Sequence, residues 1–395
     1  MSQTRRDFMA TLTAATTLGL TAAALAEEKV IQGFEKTAAT PDASANWKQI
    51  SDRKIRVGLV GHGVCKFAAA FGFQDHPNVE VVAVSDLLPD RCAELSKQAR
   101  CAKTYASLEE LVKDDQVEAV FVATDAPSHV RHCIEVLKHG KHVASAVPAC
   151  FALLEEGEQL FEAVKAAKGL NYMMFETSYF HEDLHAMRQI HRVGGFGKIS
   201  YAEGEYYHYM PEPIDSFKGW RVGLPPQFYP THSNAYFTGV GAGSFTEVSC
   251  MGVQSALSHL QPANNRYKNP FGTEIALFRT SDGGTARMAV SWDTPGAGGE
   301  MGRVRGSRGS FDRKYEGLEA KLPQTRRPPI PATLSPGGHG GSHGYLTDEF
   351  VSSILQNRKP LIDIAQALNM TVAGIVAHQS AMKDGELMKI PQYCF

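Results

Sequence analysis

The chain has 395 residues, with 42 acidic and 40 basic side chains and a formal net charge of −2. So balanced a chain, lacking a long basic run, excludes the concentrated positive face that nucleic acid requires. Its length exceeds one ordinary hydrophobic core and suits two domains. Its seven cysteines, odd in number and without C-x-x-C spacing, argue against both a disulfide framework and a thiolate metal site.

Residues 1–26 read as an export signal. Arg5 and Arg6 form a twin-arginine pair, an apolar, alanine-rich stretch runs to Ala23, and Ala24, Leu25 and Ala26 fit a small-x-small cleavage site. The apolar stretch is too short and too weak for a stable membrane span, and no later window is long and apolar enough. Twin-arginine export carries folded proteins, so the mature chain is expected to begin near Glu27 and to reside in the periplasm. Residues 27–53 are polar and aperiodic, a linker or arm.

From Ile55 the pattern sharpens. An apolar strand, IRVGLV, meets Gly61 and Gly63, an alanine-rich helix follows, and a second strand, VEVVAV, ends on Asp86, which lies 23 positions beyond Gly63. Strand, glycine turn, helix, strand and acid is the order of a dinucleotide site. The first glycine makes the turn, the second lets backbone approach a pyrophosphate, and the carboxylate accepts from a ribose 2′-hydroxyl. Lys66 stands where the third glycine of G-x-G-x-x-G would be, with Ala68 to Ala70 as the small packing surface instead. An ordinary βαβ unit with a glycine turn is the competing reading. Asp86 would repel a 2′-phosphate and favours NAD; Lys66 and Arg91, near in sequence, leave NADP as the alternative.

Strands and helices then alternate: LEELVKDD as helix, VEAVFVAT as strand, SHVRHCIEVLKHG as helix, KHVASAVP as strand, LLEEGEQLFEAVKAAKG as helix and NYMMFETSY as strand. This implies a doubly wound parallel sheet, a Rossmann domain over residues 54–176, with its ligand crevice at the carboxyl ends of the strands. Gly61, Gly63, Val64, Asp86, Thr124, His129, Val147 and Pro148 are therefore taken as the cofactor set, with Glu176 at the last strand end. After Phe180 the texture changes. HEDLHAMRQIHRVGGFG reads as one helix; KISYAEGEYYHY, TEIALFRT and ARMAVSWD read as strands. Residues 320–342 are a Pro/Gly-rich loop, and helices near 346–356 and 364–384 close the chain. Residues 177–395 are expected to form an α+β domain around a large, open, mostly antiparallel sheet.

This order of parts resembles the Gfo/Idh/MocA family of sugar and cyclitol oxidoreductases across nearly the whole mature chain. The resemblance lies in VGLVGHG, AVFVATDAPSH, HGKHVASAVP, GGFGKI, VRGSRGSF, HGGSHGYLTDEF and the closing IPQ. It implies NAD(P)-dependent hydride transfer on a carbohydrate, and homodimers or homotetramers built through the open sheet. Two of the family's catalytic groups are replaced. Its E-K-P segment falls on Ala146, Val147 and Pro148, removing the lysine, and the aspartate four residues before the histidine His232 is Phe228. A branch, the NAD-dependent α-N-acetylgalactosaminidases, is similar at the same places: V-P-A at Val147, Pro148 and Ala149, YPTH at Tyr229 to His232, and MM-x-E at Met173 to Glu176. Enzymes of that branch oxidise a sugar at C3, eliminate across C2–C1, add water and reduce back, recycling NAD. Their glutamate before V-P-A is here Ala146, and their active-site tyrosine falls on Tyr179 or Phe180.

Hydride leaving a secondary alcohol requires removal of the hydroxyl proton, work suited to a neutral imidazole. The expected base is His232, with Tyr179 assisting and Glu176 orienting or acting as a second base. A loop-capping histidine, a packed aromatic and a paired carboxylate are their ordinary alternatives. His185, Tyr229 and Trp220 are placed with the substrate. His181, Glu182 and His185 match H-E-x-x-H, but no third zinc ligand stands at a suitable spacing, so no metal is expected. His339 and His343 read as a loop pair near the crevice. Three functions stay open: an exported NAD(P)-dependent carbohydrate oxidoreductase, a redox-neutral NAD-dependent glycoside hydrolase, and a non-catalytic sugar-binding protein.

Overall fold

The computed structural model describes residues 46–241 and 243–395. The expected export signal, residues 1–26, and most of the expected arm lie outside the described residues. Six short strands, β1 (Ile55–Val60), β2 (Val79–Ser85), β3 (Thr104–Tyr105), β4 (Ala119–Val122), β5 (His142–Ser145) and β6 (Tyr172–Met174), pair in parallel in the order β3-β2-β1-β4-β5-β6. This is the doubly wound arrangement expected, with its switch point between β1 and β4.

Helices α1 (Phe67–Ala70), α2 (Pro89–Ala99), α3 (Leu108–Leu111), α4 (His129–Lys138) and α5 (Leu154–Ala166) occupy the connections. In α4 the buried positions Val130, Cys133, Val136 and Leu137 fall at helical spacing, which fixes the face it lays on the sheet. The alanine-rich helix after the glycine turn is a single turn. Lys66 precedes it with φ 50°, a left-handed conformation, and the chain turns again at Gly72. So short a helix sums little dipole, and a bound phosphate would rely on the turn itself.

The second sheet runs β13-β12-β11-β7-β10-β9-β8-β14, with strands β7 (Ile199–Tyr207), β8 (Phe245–Gln254), β9 (Phe271–Thr280), β10 (Thr285–Ser291), β11 (Gly299–Gly306), β12 (Gly309–Asp312), β13 (Lys314–Gly317) and β14 (Met388–Lys389). All its pairs are antiparallel except β7 with β10. VRGSRGSF forms the β11–β12 hairpin. Four helices complete this half: α6 (Glu182–Arg192), α7 (Thr231–Thr238), α8 (His343–Leu355) and α9 (Ile364–Ala381). Buried apolar side chains form one continuous core through both sheets. Among the described residues no helix is long and apolar enough to cross a membrane.

All eight residues of α7 are buried. Two glycines make room for it: a Cβ on Gly204 of β7 would stand 2.1 Å from the Ser233 carbonyl oxygen, and one on Gly374 of α9 would stand 2.3 Å from that of Gln227 and 2.4 Å from Pro230 Cγ. The turn before α7 and its first residues are thus wedged between sheet and helix, which sets the position of His232.

Candidate active site

A groove runs along the carboxyl edge of the parallel sheet, with about 1070 Å³ of space free of protein atoms. Residues 61–67, Ser85, Asp86, residues 123–126, Ala146 and Val147 form one wall; Phe217, Trp220, Arg221 and Tyr229 form the other. Gly61 has φ 95°, and a Cβ there would sit 2.4 Å from the Ala123 carbonyl oxygen, so only glycine lets β1 and β4 close at the switch point. Around Gly63 the reverse holds: a Cβ would meet nothing within 4 Å, leaving open space beside the turn for a ligand to approach. The Asp86 carboxylate accepts from the backbone N–H of His62 at 2.6 Å and of Leu88 at 2.8 Å. Each oxygen keeps a lone pair for a ribose hydroxyl. Open glycine turn and pinned carboxylate together fit a dinucleotide.

Groove cations sort by partner. Lys66 pairs with Glu94 at 2.8 Å, Arg131 with Glu109 at 2.5 Å and Arg91 with Asp215 at 3.7 Å. Lys66 and Arg91, considered for a 2′-phosphate, are thus both engaged. Arg221 instead stacks on the Trp220 ring at 4.2 Å and lies 5.7 Å from that of Tyr229. A stacked guanidinium facing this groove could hold a cofactor phosphate. Sequence reasoning missed it; its one signal was an arginine directly after Trp220.

Several expected cofactor residues act on the frame instead. His129 is buried, with Nδ1 2.8 Å from the Pro148 carbonyl oxygen and Nε2 3.1 Å from that of Thr124. Burial holds its pKa low, and the neutral ring donates only once, most simply across the shorter contact to Pro148. It ties two strand ends together rather than facing ligand. Thr124 lines the groove while its hydroxyl meets His132 Nδ1 at 2.8 Å. Val64 and Val147 also line it.

Beyond Tyr229 lies a buried acid–base cluster. Glu176 follows β6 by two residues and is fully buried; His232 is in the first turn of α7 and 3 % exposed. His232 Nδ1 lies 2.8 Å from Glu176 Oε1. A second carboxylate, Glu300 on β11, places Oε1 3.7 Å from the same nitrogen. Burial pulls the His232 pKa down, but Glu176 and then Glu300 outweigh it and hold it up to about 9. The two carboxylates thus favour the protonated form of a ring expected to be neutral, the form that would meet an incoming oxygen as an acid. Burial would raise Glu176, yet the His232 charge keeps its carboxyl below the usual range. The Glu176, His232 and Glu300 donor atoms lie within 4.8 Å of one another, a set able to hold a divalent cation. The Nδ1 proton goes to Glu176 Oε1 alone, and Glu176 Oε2 is buried without a hydrogen-bond partner among the described residues.

The structure does not bring Tyr179 to this cluster. β6 ends at Met174 and a 3₁₀ turn, Ser178–Phe180, rotates Tyr179 onto Arg188, whose guanidinium lies 4.1 Å from its ring. The alternative, Phe180, stacks on Tyr345 at 6.3 Å. The rings beside His232 are those of Tyr206 at 4.6 Å, Tyr229 at 5.5 Å and His339 at 6.0 Å. His185 sits on α6, where burial and then Arg188 hold its pKa to about 4. The histidine of that segment which reaches the cluster is His181: Nε2 lies 2.9 Å from the His339 carbonyl oxygen and 3.2 Å from Glu300 Oε2. His181 and His185 thus diverge and form no H-E-x-x-H metal site. The 320–342 loop lays His339 against His232, and His339 Nδ1 meets His343 Nε2 at 2.8 Å. Trp220, placed with the substrate from the sequence, lines this groove and is stacked on Tyr229 at 6.4 Å.

Residues 55–175 match the Gfo/Idh/MocA oxidoreductase family, described by its NAD-binding Rossmann fold. A glycosyl hydrolase family 109 protein of Solibacter usitatus is 22 % identical over 389 residues, covering 86 % of this chain and 88 % of that one. One from Bacteroides thetaiotaomicron is 29 % identical over 169 residues, covering 40 % of this chain and 35 % of its own. Among solved structures, levoglucosan dehydrogenase in complex with NADH and levoglucosan superposes with a TM-score of 0.69 at 18 % identity, over 86 % of this chain and all (100 %) of that one. Apo scyllo-inositol dehydrogenase from Lactobacillus casei gives 0.67 at 18 % identity, over 86 % and 99 %. Both confirm the fold. Residues 55–175 are thus similar to the NAD-binding Rossmann domain of Gfo/Idh/MocA oxidoreductases.

Proposed function

From that domain as premise, we propose that the chain is an exported NAD-dependent enzyme moving hydride between tightly held nicotinamide and a carbohydrate ring carbon. One observation carries the reading: the dinucleotide groove and the Glu176–His232 pair share the carboxyl edge of one sheet, joined by Tyr229, which lines the groove and lies 5.5 Å from the His232 ring. Bound NAD supplies the hydride acceptor and donor. Asp86 holds the ribose, and the engagement of Lys66 and Arg91 by carboxylates favours NAD over NADP. His232 gives its proton to a carbonyl oxygen as hydride arrives, and takes it back from the hydroxyl in the oxidising direction. Glu176 aims the ring through Nδ1. Trp220 and Tyr229 exclude water and offer apolar faces to a sugar.

The redox-neutral glycosidase is the second reading. It is favoured by relatives named for glycosyl hydrolase family 109 and by Val147, Pro148 and Ala149 in the lysine's place. A periplasm without a free nicotinamide pool suits recycled cofactor in either case. One face of the second sheet, uncovered among the described residues, carries Met251, Leu277 and Met301, more than half exposed and on one side by strand register. It suits a homodimer or homotetramer.

Sugars and glycosides added to protein carrying NAD should produce the near-ultraviolet band of reduced nicotinamide, transiently if the cofactor is recycled. His232→Gln, which can still donate to Glu176, should abolish the band and keep the nucleotide. Sugar binding that never changes the nicotinamide spectrum contradicts the proposal. Solvent deuterium at C2 of a released sugar selects the glycosidase.

A further inference from the structure

The connection from β7 to α7, residues 208–230, supplies the second wall of the groove. Its later part is pinned from behind. The Arg266 guanidinium donates to the Lys218 carbonyl, the Tyr267 hydroxyl to that of Trp220 at 2.5 Å, and Asn269 Nδ2 to that of Gly223 at 3.3 Å. Lys218 and Gly219 take left-handed backbone, with φ 52° and 62°, and turn the chain back on itself. Ser216 Oγ accepts from the Arg221 backbone N–H at 3.1 Å and closes this turn. Just ahead of it, Asp215 meets Arg91 of α2 and so joins the two walls, with 3.7 Å between Oδ2 and Nη2. The Asp215 side chain is 77 % exposed, so the pair is a weak brace for the fold. A weak contact that spans a ligand groove is suited to opening and closing.

The segment follows the order of a dinucleotide. Arg91 lies five positions beyond Asp86, at the ribose end. Arg221 bears on the glycine turn: burial raises the Cys65 thiol there, and the Arg221 charge opposes it. Trp220 and Tyr229 lead from that point towards His232. On the Rossmann wall, Lys66 and Arg131 are held by Glu94 and Glu109, and α1 is a single turn with little dipole. The pyrophosphate charge therefore falls to the opposite wall.

We propose that residues 215–221 form a strap through which the second half completes the dinucleotide site: Arg221 takes the pyrophosphate charge, and the Arg91–Asp215 clasp, closing over the adenosine end, sets how long the nucleotide stays. The strap rests on the reading of this groove as an NAD site, and it accounts for residence of the cofactor there. It needs no hydride transfer.

The test is exchange of bound NAD. Full-length mature protein loaded with NAD is mixed with an excess of isotopically labelled NAD, and the nucleotide retained on the protein is followed in time by mass spectrometry. Asp215→Asn keeps shape, removes the charge and lies at an exposed position. It should exchange about two to five times faster than wild type, the span of one exposed ion pair. In about 1 M sodium chloride, which screens that pair, the two should exchange at one rate. Arg221→Gln should exchange about tenfold faster or more, the effect of losing a hydrogen bond between charged groups. Exchange at the wild-type rate in either variant overturns the strap and leaves the NAD site standing. A wild-type protein that takes up no NAD overturns both.

Discussion

At the scale of single residues, the site depends on which imidazoles carry charge. His232 in the folded protein is held up to about 9, above its ordinary value of 6.5. Its pairing stabilises the fold fully below about pH 6.5, and this contribution is lost as pH rises through 9. His185 and His343 show the opposite sign. Burial holds both to about 4, so they resist protonation and remove stability as pH falls below 6.5. Thermal melts across pH should therefore peak near neutrality and decline on both sides. Glu176→Gln should flatten the alkaline side, and an alkaline slope unchanged in that variant would contradict the assignment. His232 and Glu176 were legible in the sequence because YPTH and MM-x-E stand out as motifs. The charge on His232 was not, because Glu300 lies 68 positions further along, ahead of VRGSRGSF on its strand and in no motif itself. Tyr179 misled because a 3₁₀ turn, invisible in NYMMFETSY, aims it at Arg188.

At the scale of elements, strands of the nucleotide domain were readable because buried parallel strands are short apolar runs between helices. The first helix was legible from its alanines but not its length, since the left-handed Lys66 and Gly72 confine it to one turn. α7 was not readable, since THSNAYFT has no amphipathic period and all eight residues are buried. Its helicity follows from tertiary packing, in the slot left by Gly204 and Gly374. Gly204→Ala would press a methyl group on the Ser233 carbonyl, and Gly374→Ala would press one on Pro230. Each should cost about 1–3 kcal/mol by overpacking. Because the slot seats His232, each should also lower turnover more than nucleotide affinity. Denaturant melts with nucleotide titrations check this; wild-type stability and turnover in both variants would show that the slot has slack.

At the scale of the whole molecule, the sequence displayed a parallel half and a second sheet, because periodicity changes visibly near Phe180. It did not display the continuity of the core, which arises from contacts distant in sequence, as where α9 packs against β6, α5 and β8. Nor did it show which face of the second sheet is uncovered, since β8, carrying Met251 and Val253, was not recognised as a strand. If that face joins copies of the chain, Met251→Glu with Leu277→Lys should turn a dimer or tetramer into monomers by light scattering. A wild-type protein monomeric at micromolar concentration would contradict the expected assembly.

The central claim is that the groove of Gly61, Gly63 and Asp86 holds NAD tightly enough to serve as a resident cofactor. Mass spectrometry of the small molecules released on denaturing mature protein, purified without added nucleotide, tests it most directly. The account predicts NAD or NADH near one per chain. No nucleotide, even after soaking with NAD and NADP, would contradict it and leave a sugar-binding protein on a dinucleotide fold.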